Sequence, residues 1–158
     1  MKIFREKVHS LSPESYRENL ASRCEISDMA NKILESPEFI VSTADREIKI
    51  GMISVGGVGG LGFPDGGRYD DIMSSIWWKP FFECPKETAV AVCVQKIIPP
   101  PKVRAITFIS KAMRVRGYVT AFVFEVQWYK DKKPLLTCTP SMRSAFLKAD
   151  AMLGFVYP

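Results

Sequence analysis

Glycine is concentrated in one segment of the 158-residue chain, GMISVGGVGGLGFPDGG at residues 51–67. Residues 57–62 within it spell G-x-G-x-x-G after a predicted strand, a pattern typical of a turn that binds a dinucleotide phosphate. Such a site also requires a helix directly after the glycines, because the helix N-terminus holds the pyrophosphate. Residues 63–67 read FPDGG, which predicts a break in regular structure. We therefore predict no nucleotide or cofactor site in this segment.

The ionisable residues form no pattern that predicts catalysis or metal binding. His9 lies near the N-terminus, where an exposed residue is expected more often than a general base. Asp70 and Asp71 are adjacent, so their side chains do not face one another on a helix, and they suit a helix N-terminus. The four cysteines are scattered, without C-x-x-C spacing. We predict a protein that is not an enzyme and that has no catalytic, cofactor-binding or metal-binding residues.

Basic residues are concentrated in the middle of the chain, which carries a formal net charge of +5. No acidic residue lies between Glu87 and Glu125. The cations of this interval are Lys96, Lys102, Arg104, Lys111, Arg114 and Arg116. Such a surface suits anionic lipid or nucleic acid, although a solvated sheet face would have the same composition.

Large aromatic residues crowd one short segment, IWWKPFF at residues 76–82. Single aromatic residues usually belong to a core, but a group of them beside a lysine and a proline also fits a membrane-interface or partner-binding edge. The residues of this predicted aromatic edge are Trp77, Trp78, Phe81 and Phe82.

The sequence carries no sign of a membrane span or a secretory signal. No apolar run reaches the roughly 18 residues that a spanning helix needs. The N-terminal residues MKIFREKVHS also lack the apolar region of a signal peptide. Together with the scattered cysteines, this predicts a protein that is not secreted and that works in a reducing compartment.

The predicted secondary structure begins and ends with helices. Ser12-Pro13-Glu14 predicts a helix over 13–20, and apolar spacing predicts a second helix over 26–34. Thr139 and Pro140 as start signals and Gly154 as a stop signal predict a C-terminal helix. Predicted strands cover 46–55, 88–96, 103–110, 111–129 with a bend at Gly117, and 134–138, and a helical turn covers 69–76.

This order of elements predicts a single α+β domain. We expect a mainly antiparallel sheet with an N-terminal helical region and a C-terminal helix packed on it. Residues 1–24 are assigned to an N-terminal arm and short helix, and residues 25–158 to the globular domain.

In this arrangement the chain resembles a rhabdovirus matrix protein, the small basic protein that links the viral nucleocapsid to the inner face of the envelope. The resemblance covers residues 25–157. It is carried by SDMA at 27–30 opening a helix, the strand that runs into the glycine loop, Gly117, and FLKADAMLG at 146–154. Animal-virus members have a longer basic arm with a P-P-x-Y motif, whereas residues 99–102 read PPPK here. A short, plant-infecting type of member therefore fits better.

The resemblance implies a structural protein of the virion that self-associates, condenses the nucleocapsid, binds the inner face of an anionic membrane and takes part in budding. It implies a location beneath the envelope and, during infection, in the host cytoplasm or nucleus, with any contact to nucleic acid indirect. The implied electrostatic contacts are Lys102, Arg104, Lys111, Arg114 and Arg116. The implied self-association or lipid loop, expected to be flexible and exposed, contains Leu61, Gly62, Phe63 and Pro64.

Two alternative functions have sequence features in their favour. The segment WYKDKKP at 128–134 resembles the closing hairpin of a hot-dog thioesterase or dehydratase, although that fold surrounds a long central helix. The combination of aromatic and basic residues also suits a single-stranded nucleic-acid-binding module. The chain lacks a recognisable RNP or OB pattern for the latter.

Overall fold

The computed structural model of the protein describes residues 2–8, 12–41, 46–76, 81–141 and 145–157. The helices in these ranges are α1 (Pro13–Arg23), α2 (Asp28–Glu35), α3 (Tyr69–Ile76) and α4 (Thr88–Val94). The strands are β1 (Lys2–Val8), β2 (Glu25–Ile26), β3 (Arg46–Ser54), β4 (Gly67–Arg68), β5 (Ala105–Phe108), β6 (Met113–Arg114), β7 (Ala121–Gln127), β8 (Leu135–Pro140), β9 (Phe146–Leu147) and β10 (Met152–Val156).

One large sheet organises the chain, with the strand order β1-β3-β10-β5-β7-β8-β2. Its pairs are antiparallel apart from β10 with β5 and β2 with β8. The short strand β6 pairs with the beginning of β7, and β5 pairs with the end of β7. The predicted single α+β domain with a mainly antiparallel sheet is thus confirmed.

Local capping signals explain the first two helices. The Ser12 side chain accepts a hydrogen bond from the backbone N–H of Ser15 at 3.1 Å, and Pro13 follows at the first helical position. At the start of α2, the Ser27 side chain accepts a hydrogen bond from the backbone N–H of Ala30 at 3.2 Å. Both predicted helices are confirmed, as is the helical turn over 69–76, which forms α3.

The larger core lies between one face of the sheet and the helices α1, α2 and α4. Tyr16 and Leu20 of α1 are fully buried in it, together with Ile33 of α2. Residues 13–24, assigned from sequence to an N-terminal arm and short helix, therefore contribute to the same core as the sheet.

A smaller core lies on the other face, where α3 and the glycine loop cover β3 and β10. Its buried members are Ile53, Val55, Ile72, Ile76, Ile109, Leu147, Leu153 and Phe155. Part of this face is left uncovered, so the sheet has one face under helices and one face that is partly open.

The prediction of a strand over 88–96 is wrong, because Thr88–Val94 form α4. Residues 88–93 are all buried. A helix that is apolar on every side has no 3.6-residue pattern, so a short apolar run of this kind cannot be told from a buried strand by periodicity.

The predicted C-terminal helix is also wrong. Its first residues extend β8 to Pro140, and its last residues form β10, which lies between β3 and β5; residues 142–144 lie outside the described ranges. Gly154 marks a close approach instead of a helix end, because a Cβ there would lie 3.0 Å from Ile106 and 3.1 Å from Phe108. Pairing with distant strands outweighs the local helix signals.

The long strand predicted over 111–129 is two strands joined by a turn. Gly117 lies in that turn with φ +89°, a conformation that favours glycine. In β7, Phe122, Phe124 and Val126 are buried in the larger core and Glu125 lies half-buried on the opposite face, as alternation along a strand predicts. Val123 on that opposite face is also fully buried, so the strand is covered on both faces at this point.

Candidate functional site

Backbone hydrogen bonds hold the glycine loop in place. The N–H of Gly56 donates to the carbonyl of Ala149 at 2.7 Å, and the N–H groups of Leu61 and Phe63 donate to the carbonyls of Ser54 and Val55 at 2.9 and 3.1 Å. Leu61 and Phe63 are half-buried against the smaller core.

The predicted exposure of Leu61 and Phe63 is therefore wrong, while Gly62 and Pro64 are exposed as expected. The apolar residue that the loop exposes fully is Val58. Gly66 shows why the loop needs glycine, since its φ is +79° and a Cβ would lie 2.4 Å from the Leu147 carbonyl oxygen. The loop thus packs on the smaller core and approaches β9 closely at Gly66.

The five predicted electrostatic contacts are all exposed, but they do not form one surface. The Arg104 carbonyl accepts the Trp128 N–H at 2.7 Å, which puts Arg104 and Lys102 at the end of β7. Arg114 pairs with Ala121 at the beginning of β7. The seven residues of β7 span roughly 20 Å, so the charges lie at two separate ends of the sheet.

We call the first group the hairpin end, because it includes the loop between β7 and β8. Its members are Lys102, Arg104, Lys130, Lys132 and Lys133, and all five are exposed. Among the described residues none of these five forms an ion pair of the kind that joins Arg17 and Glu35 at 2.9 Å. Sequence analysis missed Lys130, Lys132 and Lys133 because it interpreted residues 130–133 only as the turn of a hairpin.

We call the second group the turn end: Lys32, Arg114, Arg116, Tyr118 and Val119. The Lys32 ammonium lies 3.1 Å from the Tyr118 hydroxyl and 5.3 Å from the centre of its ring. The Arg114 N–H donates to the Glu38 carboxylate at 2.7 Å. Val119 is fully exposed beside these groups.

Lys111 belongs to neither end. It lines a cavity of about 440 Å³ beside α3, together with Tyr69, Phe81 and Phe155. Burial raises the pKa of Tyr69, against the opposing effect of a hydrogen bond with Ser141. Lys111 thus lies beside the smaller core, three residues before Arg114 of the turn end.

The predicted aromatic edge divides between core and surface. Phe81 is half-buried and stacks on Phe155, with ring centres 5.4 Å apart, whereas the Phe82 side chain is exposed. Trp77 and Trp78 lie outside the described residues. Only Phe82 can thus be assigned to an exposed edge.

A chain of polar side chains runs along the open face of β7. The Glu125 carboxylate accepts hydrogen bonds from the hydroxyls of Thr107 at 2.8 Å and Thr139 at 3.0 Å, and from the Gln127 amide at 2.6 Å. The Tyr129 hydroxyl donates to the Gln127 amide oxygen at 2.5 Å. Residues 125, 127 and 129 share this face because side chains alternate along a strand.

Cys24, Cys84, Cys93 and Cys138 all lie in the described ranges, and none of them forms a disulfide bond there. A hydrogen bond with the Cys93 thiol lowers the pKa of Cys24 in spite of burial. Burial and the nearby Glu125 charge raise the pKa of Cys138 to about 11. Over the described ranges, no three or more His, Cys, Asp or Glu side chains are grouped as metal ligands would be.

None of the helices in the described part of the chain has the length and apolar character that crossing a bilayer requires. No protein-family model, curated protein or solved structure matches the chain.

Proposed function

We propose that this protein is a viral matrix-type structural protein, which self-associates, condenses a nucleocapsid and links it to the inner face of an anionic membrane. The observation that carries this proposal is the presence of two exposed basic surfaces at opposite ends of β7. A protein that connects two anionic partners needs two separate surfaces, and a strand of roughly 20 Å separates these.

The hairpin end suits the membrane. The loops that carry these five cations contain one acidic residue, Asp131. Each lysine or arginine near an anionic bilayer contributes about 1 kcal/mol of attraction. Two exposed apolar side chains accompany these charges, Ile98 four residues before Lys102, and Tyr129 beside Lys130. Basic and aromatic residues side by side are typical of proteins that lie at a membrane interface.

The turn end suits a partner of defined shape, which would be the nucleocapsid or a second copy of the chain. Lys32 is held against Tyr118, and the backbone of Arg114 is held by Glu38 and by the Ser36 hydroxyl. Groups already held in place lose less conformational entropy on binding. The exposed Val119 adds an apolar contact at the same place.

The hot-dog enzyme is the less favoured alternative. The β7–β8 hairpin that suggested it does form. The larger core, however, is covered by three helices of 11, 8 and 7 residues, so the described residues contain no single long helix for the sheet to surround.

Sedimentation with lipid vesicles tests the proposal. The protein should pellet with vesicles that contain phosphatidylserine and not with vesicles of neutral lipid alone, and binding should weaken as salt is added. Sizing at rising protein concentration should show assembly beyond a dimer. A protein that stays a stable dimer and is indifferent to lipid charge would overturn the proposal and favour the enzyme.

A further inference from the structure

Two clefts lie next to each other on the partly open face of the sheet. The first, of about 680 Å³, has Thr107 and Glu125 among its lining residues, together with the segments 146–148 and 150–152. The second, of about 550 Å³, is lined by residues 127–130. Residues 102–105 line both clefts, so the two adjoin, and we refer to them together as the groove.

The floor of the groove holds a hydrogen-bond acceptor. Glu125 is half-buried, and its carboxylate accepts three hydrogen bonds from protein side chains. A carboxylate has about four acceptor positions. One position therefore remains for an N–H group of a ligand.

The rim of the groove is basic. Its cations are Lys102, Arg104, Lys130 and Lys148, and all of them are exposed. The exposed carboxylate on the rim is Asp150. A ligand that suits this groove has anionic groups at its edge and an amino donor that reaches the floor.

Aromatic rings lie at both parts of the groove. Phe146 is 62% exposed and Tyr129 is 50% exposed, so a large part of each side chain is open to solvent. Phe146 is also held in position, because β9 pairs with β4 and a Cβ on Gly66 would lie 2.9 Å from the ring. Exposed rings in fixed positions are suited to stacking with flat ligand groups.

We propose that this groove binds single-stranded nucleic acid directly, with Phe146 stacking on a base and Glu125 accepting a hydrogen bond from a base that carries an amino group. Backbone phosphates would meet the basic rim. Base stacking and amino recognition both require unpaired bases. This inference goes beyond the proposed function, in which contact with nucleic acid is indirect. Lys102, Arg104 and Lys130 belong to both the groove rim and the hairpin end, so RNA and an anionic membrane would compete for them.

Fluorescence anisotropy with labelled RNA of about 12 nucleotides tests the stacking contact. Single-stranded RNA should bind more tightly than the duplex of the same sequence. Phe146→Ala should weaken single-strand binding about 5-fold or more, and Phe146→Tyr should restore it. Circular dichroism establishes that both variants are folded, and Lys111→Gln, which removes an exposed cation from a different cavity, should change binding little.

A comparison of oligocytidine with oligouridine tests the Glu125 contact, because cytosine has an amino donor where uracil has an oxygen acceptor. Oligocytidine should bind several-fold more tightly, and Glu125→Gln should reduce that difference. Equal affinity of the folded wild-type protein for the two oligomers would overturn the assignment of Glu125.

Two other results would overturn the groove as a nucleic-acid site. One is unchanged RNA binding by folded Phe146→Ala, which would mean attraction by charge alone. The other is that Phe146→Ala loses binding to phosphatidylserine vesicles and keeps RNA binding. That result would make the groove a site for lipid headgroups.

Replacing Lys132 and Lys133, which line neither cleft, separates the two functions. Lys132→Gln/Lys133→Gln should weaken vesicle binding and leave the preference for single-stranded RNA intact.

Discussion

The hairpin end and the turn end both carry exposed cations, but they hold them differently. At the hairpin end the lysine side chains extend from loops, and within the described ranges they have no carboxylate partner. At the turn end Lys32 lies against Tyr118, and the backbone of Arg114 is fixed by Glu38 and Ser36. The sequence places Lys102, Arg104, Arg114 and Arg116 in one basic region, and the fold separates the first two from the last two.

This difference bears on the kind of partner that each end can accept. Mobile cations adjust to a fluid surface whose charges also move, and they act mainly through long-range attraction. Lys32, whose ammonium group is held against Tyr118, favours a partner with matching geometry, because the conformational entropy of its side chain is already restricted. Glu125 lies between the two ends and is the charged residue of β7, which contains no cation.

The largest effect should follow from removing charge at the hairpin end. Lys130→Gln/Lys132→Gln/Lys133→Gln should weaken binding to phosphatidylserine vesicles by about 3 kcal/mol, roughly 100-fold. The matched control, Lys32→Gln/Arg114→Gln/Arg116→Gln, removes the same charge at the turn end and should have a much smaller effect in the same sedimentation assay. Equal losses in the two triple variants would mean that the ends do not differ as lipid contacts.

A smaller gain should follow from removing the acidic residue of the hairpin loop. Asp131 has φ +58°, a conformation that asparagine also adopts readily, so Asp131→Asn should leave the loop intact. The substitution raises the net charge of the hairpin end by one. Binding to phosphatidylserine vesicles should therefore strengthen by about 1 kcal/mol, roughly 5-fold.

Glu38→Gln is the control for Asp131→Asn. It makes the same change of charge at the turn end and keeps an oxygen to accept the Arg114 N–H. Vesicle titrations should therefore give the wild-type affinity for this variant. A gain equal to that of Asp131→Asn would show that total charge, and not its place, decides lipid binding.

Local signals determined the parts of the fold that sequence analysis predicted well. Ser12 and Ser27 cap helices through contacts three residues away, and the alternate residues Phe122, Phe124 and Val126 of β7 all lie in the larger core. Signals of this kind lie within a few residues of each other, so a single sequence contains them.

Distant contacts determined the parts that sequence analysis missed. The stretch around Gly154 becomes a strand because β3 and β5, about 50 to 100 residues earlier, lie on either side of it. The candidate surfaces were missed for the same reason. The cations were recognised by type, but whether Arg104 and Arg114 lie together depends on how β5 and β6 pair with β7.

The smallest predicted effect concerns the negative charge between the two ends. Burial and Glu125 raise the pKa of Cys138 from 9.0 to about 11. Because the folded-state pKa is raised, the thiol favours the folded state fully below about pH 9, and this contribution is lost as the pH rises toward 11. Between these values Cys138 should therefore react more slowly with iodoacetamide in the folded protein than in the unfolded chain.

Glu125→Gln separates the two causes of this shift. Removing the charge and leaving the burial should lower the pKa of Cys138 only in part, so alkylation at a pH between 9 and 11 should become moderately faster. Mass spectrometry of the peptide that contains Cys138 measures the rate, and the buried thiol of Cys84 in the same samples reports any general loosening of the fold. An identical Cys138 rate in the variant and the wild-type protein would mean that Glu125 exerts no field at β8, and the two basic ends would then not be separated by a negative charge.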